Sequence, residues 1–408
     1  MKKPELLAPV GDLEKLEVAC RYGADAVYLG GLQYSLRAGA KNFDNEQMVK
    51  SIKYAHNHGK KVYVAANIFA HNSDFEGMPE FLQILQELEV DGIIVSDAGV
   101  FSMVKKYAKG LSIHISTQAN TTNYHAARFW HEMGAGRVIL ARELSLGEVR
   151  EVYENMPAGF EVEVFVHGAM CVAYSGRCLL SQVLTGRSAN KGACAQPCRW
   201  KYHLMEETRP GEYMPVSENE QGSYIYSAKD LCMIEHIPEL VATGAASFKI
   251  EGRMKSPYYV ATVVKAYREA IDDYFDDPAL YKTRIPYYLE EIKKCSHRAY
   301  STGFYFKDGK EAHQMEEAGA YIRTYDFVGM VLEYDSNRKM ALVEQRNKML
   351  LGDEVEIFRA KGKTTALKLS CICDEKGLSV TSAPHPQQRI WVAMPPVERY
   401  DMLRKAVT

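Results

Sequence analysis

The sequence predicts a (β/α)8 TIM-like barrel with a cysteine-bearing insertion before its last strand, followed by a small C-terminal all-β barrel domain. Three observations predict it. Over the first 255 residues, eight short apolar runs alternate with stretches of helical spacing, the pattern of a parallel sheet covered by helices. About 75 residues separate the seventh run from the eighth, far more than a crossover needs. From about Tyr321 onward, short alternating runs divided by turn residues replace the helical pattern, as in a small barrel or sandwich.

The eight runs are ELLAPVG, AVYLGG, KVYVAANIF, GIIVSDAG, SIHISTQAN, RVILARE, VEVFVHGAMC and SFKIEGR. Between them, apolar residues recur at helical intervals: Leu13, Leu16, Val18 and Ala19, then Met48, Ile52 and Ala55. Phe81, Ile84, Leu85 and Leu88 form a third such face, and Val100, Met103, Val104 and Tyr107 a fourth. The eightfold count favours a closed barrel over an open sheet. The insertion, about 171–245, holds the polar piece EETRPGEYMPVSENEQGS and then DLCMIEHIPELVATG, read as a helix capped by Asp230. The helical stretch SPYYVATVVKAYREAIDDYF follows the last strand. Residues 1–320 are thus read as the barrel domain and 321–408 as the β-domain, which carries 14 Lys/Arg against 11 Asp/Glu.

Hydrophobic content of 47% and charged content of 25% fit an ordinary globular protein. A formal charge of −2 excludes a global positive field, so any nucleic-acid contact needs a local patch. The start, MKKPELLAPVGD, lacks the apolar core of a signal peptide, and no run reaches the length of a membrane span. The expected location is cytoplasmic, with thiols kept reduced.

Five of the nine cysteines crowd the insertion: Cys171, Cys178, Cys194, Cys198 and Cys232. Clustered reduced thiols point to a soft metal or an iron–sulfur cluster. Gly192 and Pro197 favour a bent backbone around the C-x3-C pair. On spacing alone, a cluster, structural zinc and buried packing thiols all stay open.

Charged residues gather where strands end, the face on which such barrels do chemistry. His167 is a candidate acid–base, and Glu163 shares its face at period two. An inward Glu163 needs a cation, Arg142 or Lys249. Lys249, Glu251 and Arg253 alternate along strand eight, and with Arg142 they suit a carboxylate or phosphate ligand. Asn67, Ser96, Asp97, Gln118 and Asn120 describe a polar mouth over which Arg37 reaches. The candidate catalytic residues are therefore His167, Glu163 and Glu251, and the candidate substrate contacts Arg37, Gln118, Arg142, Lys249 and Arg253. G-x-x-x-x-G-K-[ST], H-E-x-x-H and G-x-S-x-G are all missing.

FVHGAMCVAYSGRCLLSQ, NKGACAQPCRW, FKIEGRMKSPYYV, LLAPVGD and YLGG-x-x-YSLRA resemble the collagenase-like family long filed among unclassified peptidases. The resemblance runs over nearly the whole chain and is strongest to the branch of tRNA uridine hydroxylation proteins. It implies a 4Fe–4S cluster whose ligands, carried over by motif, fall on Cys171, Cys178, Cys194 and Cys232, with Cys198 as the alternate. It implies 5-hydroxyuridine formation at the tRNA wobble position with prephenate as co-substrate, and it leaves room for a partner subunit. Arg199, Trp200, Lys201 and Tyr202 and the mildly basic β-domain are candidate tRNA contacts. Collagenase-like peptidase activity is the runner-up, and an RNA-binding accessory protein with a structural metal site is a third reading.

Overall fold

The computed structural model describes residues 2–37, 40–171, 173–200, 218–219, 222–223, 229–306 and 321–407. Its core is a closed barrel of eight parallel strands: β1 (Glu5–Pro9), β2 (Ala26–Leu29), β3 (Lys61–Ala66), β4 (Gly92–Val95), β5 (Ile113–Ile115), β6 (Arg137–Ile139), β7 (Glu161–Ala169) and β8 (Ser247–Ile250). Closure is explicit, since β8 pairs with β1 from Glu5↔Ser247 and with β7 from Ser247↔Glu163. The strands are buried almost end to end, as expected of a sheet covered on both faces.

The helices between them start where the sequence supplies a capping oxygen. Asp12 caps α1 (Leu13–Arg21), and Asp44 with Gln47 forms a capping box on α2 (Asn45–Asn57). Asp97, read from sequence as part of the mouth, instead caps α4 (Ala98–Tyr107) by accepting from Gly99 and Val100. Ser145 and Glu148 box α6 (Leu146–Glu154). The expected inner faces of α1 and α2 are buried. The third helix, α3 (Met78–Glu87), buries Leu85 as expected and adds Leu82, while Phe81 and Leu88 pack partly buried against the core and Ile84 does not.

One boundary differs. Asp230–Cys232 is not a helix start but a short strand, antiparallel to the end of β7 (Cys232↔His167) and parallel to Tyr300–Ser301. Asp230 binds Arg298 instead of capping, and the helix begins only at Ile237. The unusual length of β7, nine residues, is what lets it carry this extra strand. No helix among the described residues is long and apolar enough to cross a membrane.

The C-terminal domain is a seven-stranded antiparallel sheet, with Tyr325–Asp335 at its centre beside Met402–Ala406 and Met340–Gln345. It has its own apolar core, including Val328, Ile357, Ile390 and Leu403. It docks on the long helices Pro257–Asp276 and Pro278–Lys293 through a buried guanidinium. Arg404 Nη2 donates to both Glu291 oxygens at 2.9 and 2.8 Å, and its Nε donates to Glu356 at 2.7 Å.

The barrel floor is ionic. Glu163 is fully buried, and accepts from Lys249 at 2.8 Å and from Arg137 at 2.7 Å. Arg137 also reaches Glu5 at 2.8 Å and Glu161 at 2.6 Å. Burial pushes the Glu163 carboxyl up, but Lys249 and Arg137 hold it below the ordinary carboxylate range. Replacing one member of such a buried pair typically costs about 3–5 kcal/mol, so Glu163→Gln should lower the unfolding free energy by that order. A carboxyl whose folded pKa lies below its unfolded value stabilises fully above the unfolded value of about 4.3. That stabilisation disappears as pH falls through the folded value. Urea melts from pH 7 to 3 should therefore show a shallower acid loss in the variant, and equal acid slopes would contradict this account.

Candidate functional site

The mouth of the barrel opens into two connected chambers. A small inner pocket of about 50 Å³ is lined by Arg37, Gln118, Arg142, Lys249, Glu251 and Arg253 among others. Above it lies an outer chamber of about 600 Å³ that shares Arg37, Gln118, Arg142 and Glu251. Its further lining includes Cys171, Cys178, Cys194 and Cys198. The inner space takes a group the size of a carboxylate, since one liquid water fills about 30 Å³. The outer chamber has the size of a small-molecule site.

Strand ends place these residues. Gly168, with φ +113°, turns β7 at its end, and a methyl group there would meet the Glu251 carbonyl at 2.4 Å. Only glycine allows that crossing. A methyl group on Gly30, just after β2, would lie 2.4 Å from Arg253 Nη2, so this glycine opens the space that Arg253 fills. Arg253 Nη1 donates to Ser35 at 2.6 Å and its Nη2 to Asn42. Its Nε is buried without a partner, and burial brings the guanidinium down to about 10. Arg142 Nη1 donates to the Ala169 carbonyl at 3.0 Å, and its cation sits 5.5 Å over Phe165. Arg142 Nε and Gln118 Oε1 are buried with no partner. A buried donor or acceptor left unpaired at a pocket wall calls for a partner there, a water or a bound group.

Glu251 is the one carboxylate facing the inner pocket among the described lining residues. It lies 3.5 Å from Arg37 Nε and accepts from Tyr28 at 3.3 Å. Burial pushes it up, yet Arg37, then Arg142 and Arg253, hold it below the usual range.

The cysteine segment is fastened over this mouth. Ser175, in a left-handed conformation, donates from its N–H and hydroxyl to Glu143 at 2.6 and 2.7 Å. Arg177 Nε donates to the Gln118 carbonyl at 3.2 Å and lies 5.0 Å over Phe69. Lys191 pairs with Asp74 at 3.1 Å. Gly192 adopts the left-handed turn expected of it. The Gln196 N–H donates to Cys194 Sγ at 3.4 Å.

Cys232 does not line the chamber. It is buried on its strand opposite His167, where its thiol is pushed up to about 12. Cys198, the alternate from the sequence, occupies the chamber wall with Cys171, Cys178 and Cys194. Among the described residues no three His, Cys, Asp or Glu side chains stand close enough to cage a single metal ion. The four thiols share a space without converging on one point.

Two other candidates lie away from the chambers. His167 is 1% exposed, ringed by Tyr259, Tyr267 and Tyr300 at 5.5–6.0 Å, and burial drives it down to about 3, so it stays neutral. Glu163 belongs to the ionic floor, and its partners are Lys249 and Arg137 rather than Arg142. Ser96 donates to the Asn67 carbonyl at 2.9 Å and serves the loop, not the pocket. Trp200 is exposed, while Lys201, Tyr202 and the side chain of Arg199 lie outside the described residues, as does most of the polar piece 206–223. Arg298 and Lys255, which line the outer chamber, carried no local sequence signal. Arg298 owes its position to Asp230, 68 residues away.

The profile of peptidase family U32 matches residues 11–315, and that of the U32 C-terminal domain matches 323–404. The chain belongs to peptidase family U32. It is 43% identical to tRNA hydroxylation protein P1 of Bacillus subtilis (strain 168), over 95% of this chain and 91% of that one. It is also 43% identical to an uncharacterized protease of Methanocaldococcus jannaschii, over 88% and 87%. Identity to tRNA hydroxylation protein P of Escherichia coli (strain K12) is 37%, over 97% and 94%. This U32 chain therefore matches relatives of both kinds along nearly their full length.

Exposure separates its thiols. Cys194 is exposed and Cys171 and Cys178 are half-buried, whereas burial pushes Cys20, Cys232 and Cys295 up to about 12. A rise of about three pKa units cuts the thiolate fraction roughly a thousandfold. Iodoacetamide at pH 8 on metal-free protein, read by peptide mass, should label Cys171, Cys178 and Cys194 early and the buried three last. Early labelling of Cys232 would place it with the chamber thiols instead.

Proposed function

We propose that the chain is an iron–sulfur-dependent tRNA-modifying enzyme that hydroxylates wobble uridine to 5-hydroxyuridine and requires prephenate. The observation that carries this reading is four thiols set above a cationic pocket whose Arg142 Nε and Gln118 Oε1 have no protein partner. The names of its U32 relatives from B. subtilis and E. coli support the tRNA part.

Cys171, Cys178, Cys194 and Cys198 would hold a 4Fe–4S cluster. Replacing the uridine C5 hydrogen by hydroxyl takes two electrons from the base and needs an oxygen atom from an external hydroxyl-donating oxidant, and the bound cluster would supply electron transfer between the two. The chain's own residues do the rest. Arg37, Arg142 and Arg253 face the single Glu251 carboxylate, which leaves two positive charges for a dicarboxylate such as prephenate. Lys249 adds nothing to that excess because Glu163 neutralises it. The inner pocket, lined by Arg37, Arg142 and Arg253, would take one carboxylate and the outer chamber the rest of the molecule. Gln118 then offers an acceptor for the ligand hydroxyl. Met170, Leu180 and Met254 along the chamber keep water from the reacting base.

Cys171→Ala and Cys178→Ala should lose iron on anaerobic reconstitution and lose wobble hydroxylation together. tRNA from a deletion strain should lack the one-oxygen mass increment on that uridine, and restoring Arg142→Ala should recover far less of it than restoring the wild type. A colourless protein after reconstitution, or unchanged tRNA masses, would refute the assignment. Cleavage of denatured collagen, lost on a single side-chain change, would instead support the peptidase reading.

A further inference from the structure

Arg298 stands apart from the other cations of the chambers. It is 3% exposed. Its Nε and Nη2 donate to Asp230 Oδ1 at 3.0 and 2.7 Å, and its backbone N–H donates to Oδ2 at 3.1 Å. Asp230 is itself fixed, because its strand is pinned between the end of β7 and Tyr300–Ser301. The third nitrogen, Nη1, is buried with no hydrogen-bond partner. Among the charged groups of the chambers, Arg142 Nε and Arg253 Nε are orphaned in the same way, but both belong to the inner pocket. Arg298 lines the outer chamber and not the inner pocket.

Lys255 shares that wall. Its ammonium lies 4.6 Å over Tyr321 and 5.4 Å over Tyr259, and no carboxylate pairs with it among the described residues. Tyr259 is fixed in turn by its hydroxyl, which donates to the Glu251 carbonyl at 2.8 Å. A fixed guanidinium with one buried, unpartnered donor, in the same wall as an ammonium that pairs with no carboxylate among the described residues, is a receptor for an oxyanion.

Asp230 compensates Arg298, so the positive charge special to the outer chamber is that of Lys255 and Arg187. The inner pocket keeps two positive charges of its own. Phosphodiester oxygens suit the first site and a dianion the second. Between them run the apolar side chains of Met170, Leu180, Pro197 and Met254, the setting in which a splayed-out base is received.

We propose that Arg298, held by Asp230 and flanked by Lys255, is the seat for one phosphodiester group, and that a nucleotide anchored there lays its base across the chamber toward the inner pocket. This rests on the RNA-modifying reading of the same cavity. The seat sets how deep the nucleotide enters, and leaves the inner pocket to the small dicarboxylate. Arg298 acts as a binding residue.

The test uses full-length, cluster-loaded protein and an anticodon stem–loop RNA across a salt series. Each lost phosphate contact on a single strand should flatten the slope of log K against log salt by about 0.7. Because R298Q alone strands a buried carboxylate, the paired change D230N/R298Q is compared with K255A, which leaves the Asp230–Arg298 pair intact. Both should flatten the slope by about that amount, with prephenate affinity by calorimetry unchanged. Unchanged slopes in both folded variants would overturn the seat. Lost prephenate binding with an unchanged RNA slope would also overturn it, by assigning Arg298 to the dicarboxylate. Uridine 5′-methylphosphate against uridine separates the seat from the function on which it rests. If wild type prefers the phosphodiester, D230N/R298Q does not, and neither binds the stem–loop, the seat stands and the tRNA reading falls. If wild type binds the stem–loop but shows no preference for the phosphodiester, the seat falls and the tRNA reading stands.

Discussion

A charge inside a closed barrel must be paired within the barrel, and most of this site follows from that constraint. Glu163 is fully buried at the floor and takes two cations, Lys249 and Arg137. Lys249 lines the inner pocket, but its charge is already paired with Glu163. The guanidiniums one layer up, Arg142 and Arg253, meet no carboxylate within ion-pair distance among the described residues, and are held by Ser35, Asn42 and a carbonyl. Neutral partners fix their geometry without cancelling their charge. The floor neutralises itself, and the mouth stays positive.

That layering explains which parts of the fold could be read from the residues and which could not. Strand positions were legible because β-branched runs such as GIIV and KVYVAA are buried on both faces, and the helix starts because Asp12, Asp44 and Ser145 supply capping oxygens. The insertion was legible as an excess of length. Lys249, Glu251 and Arg253 were legible through their alternation at the end of a strand. Glu163 was read with the right period and the wrong depth: period two tells which face a side chain takes, not which layer of the barrel it occupies. His167 failed for a related reason. Its histidine chemistry suggested an acid–base, but β7 runs past the barrel rim and carries the ring into a shell of tyrosines.

Pairings across long sequence distances left no local trace. Asp230 looked like a helix cap because a helix does follow it, seven residues on. Its actual partner is Arg298, and the strand that carries it is added to the sheet by the overlong end of β7. The same strand withdraws Cys232 from the chamber. Spacing could say that thiols were crowded, but only the course of the backbone decides which of them share a wall.

The chambers also bear on the choice between hydrolysis and oxidation. Peptide hydrolysis without a covalent nucleophile needs a base to activate water, with a pKa near the working pH. Among the described lining residues neither chamber contains a histidine, and the inner pocket's one carboxylate is Glu251. Three guanidiniums hold Glu251 below the ordinary carboxylate range, which makes it a weaker base rather than a stronger one. His167, the residue that would otherwise serve, is neutral but sealed behind Tyr259, Tyr267 and Tyr300, out of reach of any substrate in the chamber. What the lining does offer is soft sulfur, guanidinium and an apolar middle. Those groups suit the binding of an anion, and among the described lining residues none is a histidine placed to act as the base for water.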